Sequence, residues 1–143
     1  MSLARILFGF NSQSVDPVNI AVPWQNSTQD GLFRMNYSDE KAIETNLRVW
    51  AKTNRGERPM RFDFGLDARR MLFEPELITK DALKSRAREQ LNRFFGFLRI
   101  DNLEVLTSED VVDLADNTVR FILEVTFKNK EDKKIKISEE IGA

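Results

Sequence analysis

The chain has 143 residues, 41% hydrophobic and 31% charged, with a formal net charge of −1. These are the proportions of one soluble globular domain, and so even a charge balance gives no general pull toward nucleic acid. Cysteine and histidine are both absent, which excludes disulfides, cysteine nucleophiles, Ser-His-Asp triads and thiolate or imidazole metal ligation. Any catalysis would have to rest on carboxylates, with Lys, Arg, Tyr, Ser or Thr in support.

Residues 1–30 read as an extended N-terminal arm and 31–143 as a single domain. "MSLARILFGF" has one arginine and a short apolar run without a small-residue cleavage site, so it is not read as a signal peptide and a cytosolic origin is expected. No apolar run approaches the roughly 20 residues that cross a bilayer. "NSQSVDPVN" and "PWQNSTQDG" are rich in turn formers. Between them "NIAVPW" suits a short extended segment, with Pro23 confining it to an edge or a strand end.

A first helix is predicted from Ser38, which can cap it, with Asp39 and Glu40 at the positive end of the dipole. Ile43, Leu47 and Trp50 form its apolar stripe, flanked by Ala42 and Val49. Gly56, after Asn54 and Arg55, is a natural C-terminal stop. The next stretch, Thr53 to Glu76, holds five arginines, five carboxylates, two prolines and two glycines. Within it "LDARRMLF" suits one short helix with Asp67 near its start, ended by "FEPE" because a residue before proline leaves the helical region.

A second long helix is predicted after Thr79 as its cap, with Asp81 in the first turn. Leu83, Ala87, Leu91, Phe94, Phe95 and Leu98 recur at steps of three and four, opposite Lys80, Lys84, Arg86, Arg88 and Arg93. Gly96 weakens its last turn. The period then changes to two. Val119, Phe121, Leu123, Val125 and Phe127 alternate with polar or outward residues, a strand with one buried face. "KNKED" is a polar turn, and "KKIKISEEI" a shorter, more exposed strand in which Ile135 and Ile137 alternate with lysines. "NLEVLT" at 102–107 is a partner strand. The fold class is α+β: two main helices packed on a small antiparallel sheet.

Charge is unevenly spread, with seven basic against three acidic side chains over 48–70 and six against eleven over 101–143. Three functions suit the central stretch. A glycosidase needs two carboxyl groups roughly 5–9.5 Å apart; Asp63, Asp67 and Glu74 are candidates, with Glu57 as a fourth. The neighbouring arginines would hold such acids ionised, and the amphipathic aromatics for sugar stacking are limited to Trp24, Trp50 and Tyr37. Nucleic acid could use Phe62 and Phe64 among the bases, yet Glu57, Asp63 and Asp67 interrupt the patch, and no P-loop or dinucleotide fingerprint implies a cofactor. A charged folding or docking network of Glu57, Arg58, Arg61, Asp63, Arg69 and Glu74 suits arginine's bidentate chemistry best. The lysine-flanked last strand either blocks its own edge or accepts a partner's strand.

"TNRGERPMRFDFG…LFEP" resembles the baseplate wedge, or sheath-initiator, family of contractile phage tails, with relatives in contractile bacteriocins and the type VI secretion baseplate. The matching positions are Thr53, Gly56, Glu57, Arg58, Pro59, Phe64, Gly65, Leu72, Phe73, Glu74 and Pro75, with "VPW" at 22–24, Gly31 and the Ser38 helix start upstream. Glu76 departs from the family's Glu-Pro-Arg, a motif associated with contact to the helical bundle of the wedge; Arg69 or Arg70 would have to supply that charge. The resemblance implies a structural protein, not an enzyme, with a fold like the sheath handshake domain and no cofactor. It implies wedge docking by Glu57, Arg58, Glu74, Pro75 and Glu76, and loop shaping by Gly56, Pro59 and Gly65. It implies sheath strand addition over Val119, Phe121, Leu123, Val125, Phe127, Ile135 and Ile137. The implied partners are baseplate wedge proteins, the tail sheath protein and the tail tube or hub proteins, with no nucleic acid and no membrane. The implied location is the virion baseplate, assembled in the host cytoplasm. The family has also carried a lysozyme's name, so a peptidoglycan-cleaving glycosidase is the alternative.

Overall fold

The computed structural model describes residues 16–27 and 30–142. Residues 1–15, 28 and 29 of the expected arm lie outside the described residues. The chain gathers into two compact units, Met1–Asn46 and Leu47–Ala143. In chain order the elements are β1 (Asn19–Ile20), β2 (Met35–Asn36), α1 (Asp39–Lys52), α2 (Ala68–Met71), α3 (Glu76–Phe94), β3 (Leu98–Leu106), β4 (Thr118–Phe127) and β5 (Lys130–Gly142). Antiparallel sheets with few helices make this an α+β protein. Among the described residues no helix is long and apolar enough to cross a membrane.

In the first unit, β1 and β2 pair antiparallel, Asn19 against Asn36 and Ile20 against Met35. "NIAVPW" is thus extended at its start, and Pro23, behind a cis peptide bond, falls beyond the strand. Asn36 is buried and donates to Asn19 Oδ1 at 2.8 Å and Thr45 Oγ1 at 3.0 Å, so its amide is satisfied where water is excluded. Ser38 caps α1 as expected, its Oγ accepting from Lys41 N at 3.4 Å.

The second unit is built on the sheet β3-β4-β5, antiparallel throughout. Alternation on β4 buries Val119, Phe121, Leu123 and Val125. Phe127 is only half-buried, because it pairs with Lys130 beside the turn. On β3, Asp101 is the extra residue of a bulge: Ile100 pairs with Val125 and Asn102 with Glu124. The Thr126 hydroxyl donates to the Asp101 carboxylate and is the main reason it lies below the usual carboxylate range. The last strand corrects its expectation. At 13 residues β5 is longer than β3 and β4, and Ile135, Ile137, Glu139 and Ile141 are buried. Its lysines mask a complete period-two face that pairs with β4 as far as Gly142 and Thr118.

Leu47, Trp50 and Ala51 carry the buried stripe of α1 in this unit. The stripe is turned slightly from the expected one: Ile43 is half-buried and Val49 lies 40% exposed. The Trp50 ring is fully buried, 5.9 Å from Phe121 and 6.2 Å from Phe95, edge-on to both. Glu139 takes the place of an apolar residue on the inner face of β5 and binds Arg48, with Lys52 Nζ at 2.7 Å. The long helix α3 buries Leu83, Ala87, Gln90 and Leu91, and Leu98 already belongs to β3. It starts at Glu76, not after Thr79, because Pro75 with φ −53° and ψ 135° cannot extend α2 yet leads directly into a helix. Thr79 is therefore an interior, buried residue. Its hydroxyl proton is shared among the carbonyls of Met71 at 2.9 Å and of Glu74 and Pro75 at 3.2 Å.

Candidate functional site

The chain leaves α1 at Lys52 and returns to the same helix end after a loop of charged residues. Trp50 O accepts from Thr53 N and from Leu66 N, both at 3.3 Å, and Thr53 O accepts from Asp67 N at 3.2 Å. Carbonyls that a helix C-terminus usually leaves to water or a glycine cap are thus taken by the returning chain. Gly65 makes that return possible. It has φ 118°, and a Cβ there would lie 2.4 Å from Thr53 O. Gly56 has φ 87° but open space around it, so only its backbone conformation calls for glycine. Its N–H donates to Phe62 O at 2.9 Å and closes the tip of the loop.

Glu57 shapes the loop from within. Its two carboxylate oxygens accept from Asn54 N and Asn54 Nδ2, each at 2.8 Å. Those bonds, with Arg69 nearby, hold it below the usual carboxylate range. Pro59 sits in the turn closed by Arg61 N donating to Arg58 O at 3.2 Å. Met60, at the apex, has φ 66° and is 95% exposed.

The base of the loop is fastened to α3. Asp67 is buried in a left-handed conformation and accepts from Arg86 Nη1 at 3.0 Å. Gln90 Nε2 donates to Asp63 O at 3.0 Å, and Arg93 Nη2 lies 2.7 Å from Asp63 Oδ2. Phe64 is buried edge-on to Phe94 at 5.2 Å. Arg58 stands over the Phe64 ring at 4.6 Å, and Arg93 and Arg61 over Phe94 at 5.4 and 5.9 Å. The result is a rigid base below an exposed rim of Arg55, Glu57, Arg58, Pro59, Met60, Arg61 and Phe62.

Of the four candidate acids, Asp67 is sealed against Arg86, Asp63 is bound by Arg93 and Glu57 by Asn54. Glu74 and Pro75 are exposed, and Glu74 lines a cleft of about 180 Å³ with Leu72, Phe73, Thr79, Thr107 and Thr118. Glu76 opens α3, and its side chain lies outside the described residues. The wedge-docking candidates are therefore divided between the loop rim and the start of α3. Of the strand-addition candidates, Val119, Phe121, Leu123, Val125 and Phe127 lie on β4, the middle strand, whose backbone is paired on both sides. Ile135 and Ile137 lie on β5, an edge strand, pairing with Val125 and Leu123 and facing inward.

Sequence reasoning placed Arg86 on the basic face opposite the apolar stripe and did not single out Gln90. Their spacing of four, with Arg93 and Phe94 one turn on, marks a single stripe of α3 that meets the loop. Glu139 also passed unnoticed, although an acid interrupting an Ile-x-Ile-x alternation is the visible sign of a buried charge.

Two solved structures share this fold. One is a chain of the anti-feeding prophage baseplate, with a TM-score of 0.59 and 22% identity over 79% of this chain and 86% of that one. The other is a candidate tail lysozyme from Geobacter sulfurreducens, with a TM-score of 0.60 and 19% identity over 73% of this chain and 91% of that one. No curated protein matches the chain with significance. A family model described as "Baseplate wedge protein gp25" matches residues 37–132 and takes in the return loop, α3 and most of the sheet. The match spans more than half of the chain, and the protein belongs to that family of baseplate wedge proteins.

Proposed function

We propose that this protein is a non-enzymatic component of a contractile tail baseplate that joins the wedge to the tail sheath and starts sheath polymerisation. Membership of the baseplate wedge family supports the structural role and a location in the tail particle. The observation that carries the sheath-joining part is β5. It is a 13-residue edge strand with one face buried and one side of its backbone unpaired within the described sheet. Such an edge is a template for a further strand. In this reading α1 and α3 on the sheet form a handshake-like domain over 31–143, and residues 1–30 form an arm. Glu57, Arg58, Glu74, Pro75 and Glu76 face the wedge proteins, the tail sheath protein adds its strand at β5, and the tube or hub proteins lie further in. Assembly takes place in the host cytoplasm.

Co-expression with the wedge proteins tests the docking half. Glu74→Ala combined with Pro75→Ala should give a folded protein that no longer co-purifies with the wedge; undiminished co-purification would sink it. The strand-addition half can be tested by cross-linking, since the chain has no cysteine of its own. A single cysteine at Ser138 on β5 should cross-link to sheath protein in assembled tails and not in the isolated chain.

The likeness to a candidate tail lysozyme keeps one alternative in view, a carboxylate glycosidase acting on peptidoglycan. The burial of Asp67 and the arginine partners of Asp63 and Asp67 weigh against it, since a general acid must give up a proton to substrate. A turbidity assay on purified cell walls separates the readings. Lysis abolished by replacing Asp63 or Glu74 would favour the enzyme.

A further inference from the structure

The rim of the return loop is both cationic and apolar. Arg55, Arg58 and Arg61 are exposed, and among the described residues no carboxylate forms an ion pair with any of them. The acids that might have neutralised them are engaged elsewhere: Glu57 with Asn54, Asp63 with Arg93 and Asp67 with Arg86. Arg58 and Arg61 stand over Phe64 and Phe94, which fixes where their charge lies. Between them project Met60, 95% exposed, and Phe62, 68% exposed.

Met60 adds a second, independent observation. A non-glycine residue at φ 66° is held in a conformation that Asn or Gly adopts more cheaply. A side chain that is almost wholly in solvent gains nothing from internal packing in return. A strained apolar residue at the apex of a fastened loop is suited to contact outside the chain.

We propose that the tip formed by Arg58, Met60, Arg61 and Phe62, with Arg55 beside it, seats an acidic segment of a neighbouring baseplate protein that carries a bulky apolar side chain. This deepens the docking reading above and rests on it. The partner's carboxylates meet the arginines, and its apolar residue covers Met60 and Phe62, the pairing of a buried anchor with complementary charge that protein interfaces use. A protein fits better than a nucleic acid. Two of the three cations are held over rings and cannot track a phosphate backbone, and the exposed Met60 and Phe62 between them call for an apolar side chain.

The test uses the full chain and labelled peptides. One probe is a hexapeptide of Glu and Asp around Leu-Phe, a second is its Gln/Asn isostere, and a third is a short DNA duplex. The acidic peptide should bind, with the isostere weaker by about tenfold or more, and binding should fall as salt rises. Arg58→Glu with Arg61→Glu should reduce binding by about tenfold or more. Met60→Asn should keep the fold, shown by an unchanged or raised Tm, and weaken binding several-fold. Equal binding of both peptides, parent-like binding by these variants, or tighter binding of the duplex would each overturn the proposal. Wedge co-purification then separates the two readings. If the double arginine variant joins the wedge and the Glu74–Pro75 variant does not, the tip proposal fails and the docking reading stands. If both variants join, both fail.

Discussion

The strand β4 and the return loop fix the backbone of one chain in two different ways. On β4 four inward side chains share the burial, each pressed by neighbours on α1 or the flanking strands, and alternation alone selects the register. In the loop few side chains are buried, and the path depends on single contacts: the Leu66 and Asp67 amides on α1 carbonyls, Gly65 against Thr53 and Asp67 on Arg86. The first arrangement tolerates exchange of similar residues, since only pattern and volume count. The second presents a fixed set of charges at its rim and tolerates little at its hinge points. A surface meant to be recognised gains from the second arrangement, because a preordered loop has less conformational entropy to lose on binding.

Four measurements bear on that contrast, and the largest effect is expected in the sheet. Phe121→Ala removes the aromatic that meets Trp50 and should lower stability by about 3–5 kcal/mol in urea denaturation, with the whole second unit unfolding as one. Gly65→Ala should cost about 2–3 kcal/mol, from positive φ and a collision with backbone. Its signature differs: amide chemical shifts of residues 53–67 should change far more than those of β4. If the change spreads evenly over the sheet, the loop is not an independent unit and the contrast fails.

Glu139→Gln probes whether the sheet also hangs on one residue. Its side chain is 6% exposed, but Arg48 and Lys52 are 33% and 58% exposed and can return to water. The loss should therefore be about 1–2 kcal/mol, below that of a fully buried pair. A loss as large as that of Phe121→Ala would mean that charge, not shared burial, sets the β5 register. The smallest effect belongs to Glu57. Its folded carboxyl sits below the ordinary glutamate value of 4.5, so the stabilisation it provides is present above that pH and fades as pH falls through the lower, folded value. Side-chain carboxyl NMR should show the depressed midpoint. Glu57→Gln should remove this part of the acid sensitivity and, by the same linkage, lower neutral-pH stability slightly to the level the parent reaches in acid.

Much of the architecture could be read from periodicity. The Ser38 cap, the α1 stripe through Leu47 and Trp50, the short α2 and the β4 alternation all follow from local pattern, and the structure has them. The start of α3 could not be read this way, because Thr79 satisfies the capping preference and Pro75 competes with it through backbone geometry. The length of β5 was hidden by lysines that say nothing about the opposite face. In the loop, glycines, prolines and charge density advertised an unusual segment, but which acid met which arginine depended on Arg86, Gln90 and Arg93, 19 to 30 residues further along the chain. Pairings at that distance leave no mark in a local window.

One consequence of the return loop concerns α1 itself. Helix ends ordinarily fray, opening and closing without the rest of the molecule. Here the Trp50 and Thr53 carbonyls can be released only if Leu66 and Asp67 also let go, and those residues lie on a segment bound to α3 through Asp67. Solvent exchange at the last turn of α1, at the loop base and at the middle of α3 is therefore coupled into one cooperative opening. A partner that grips the rim should slow exchange not only beneath itself but also at the last turn of α1 and the middle of α3.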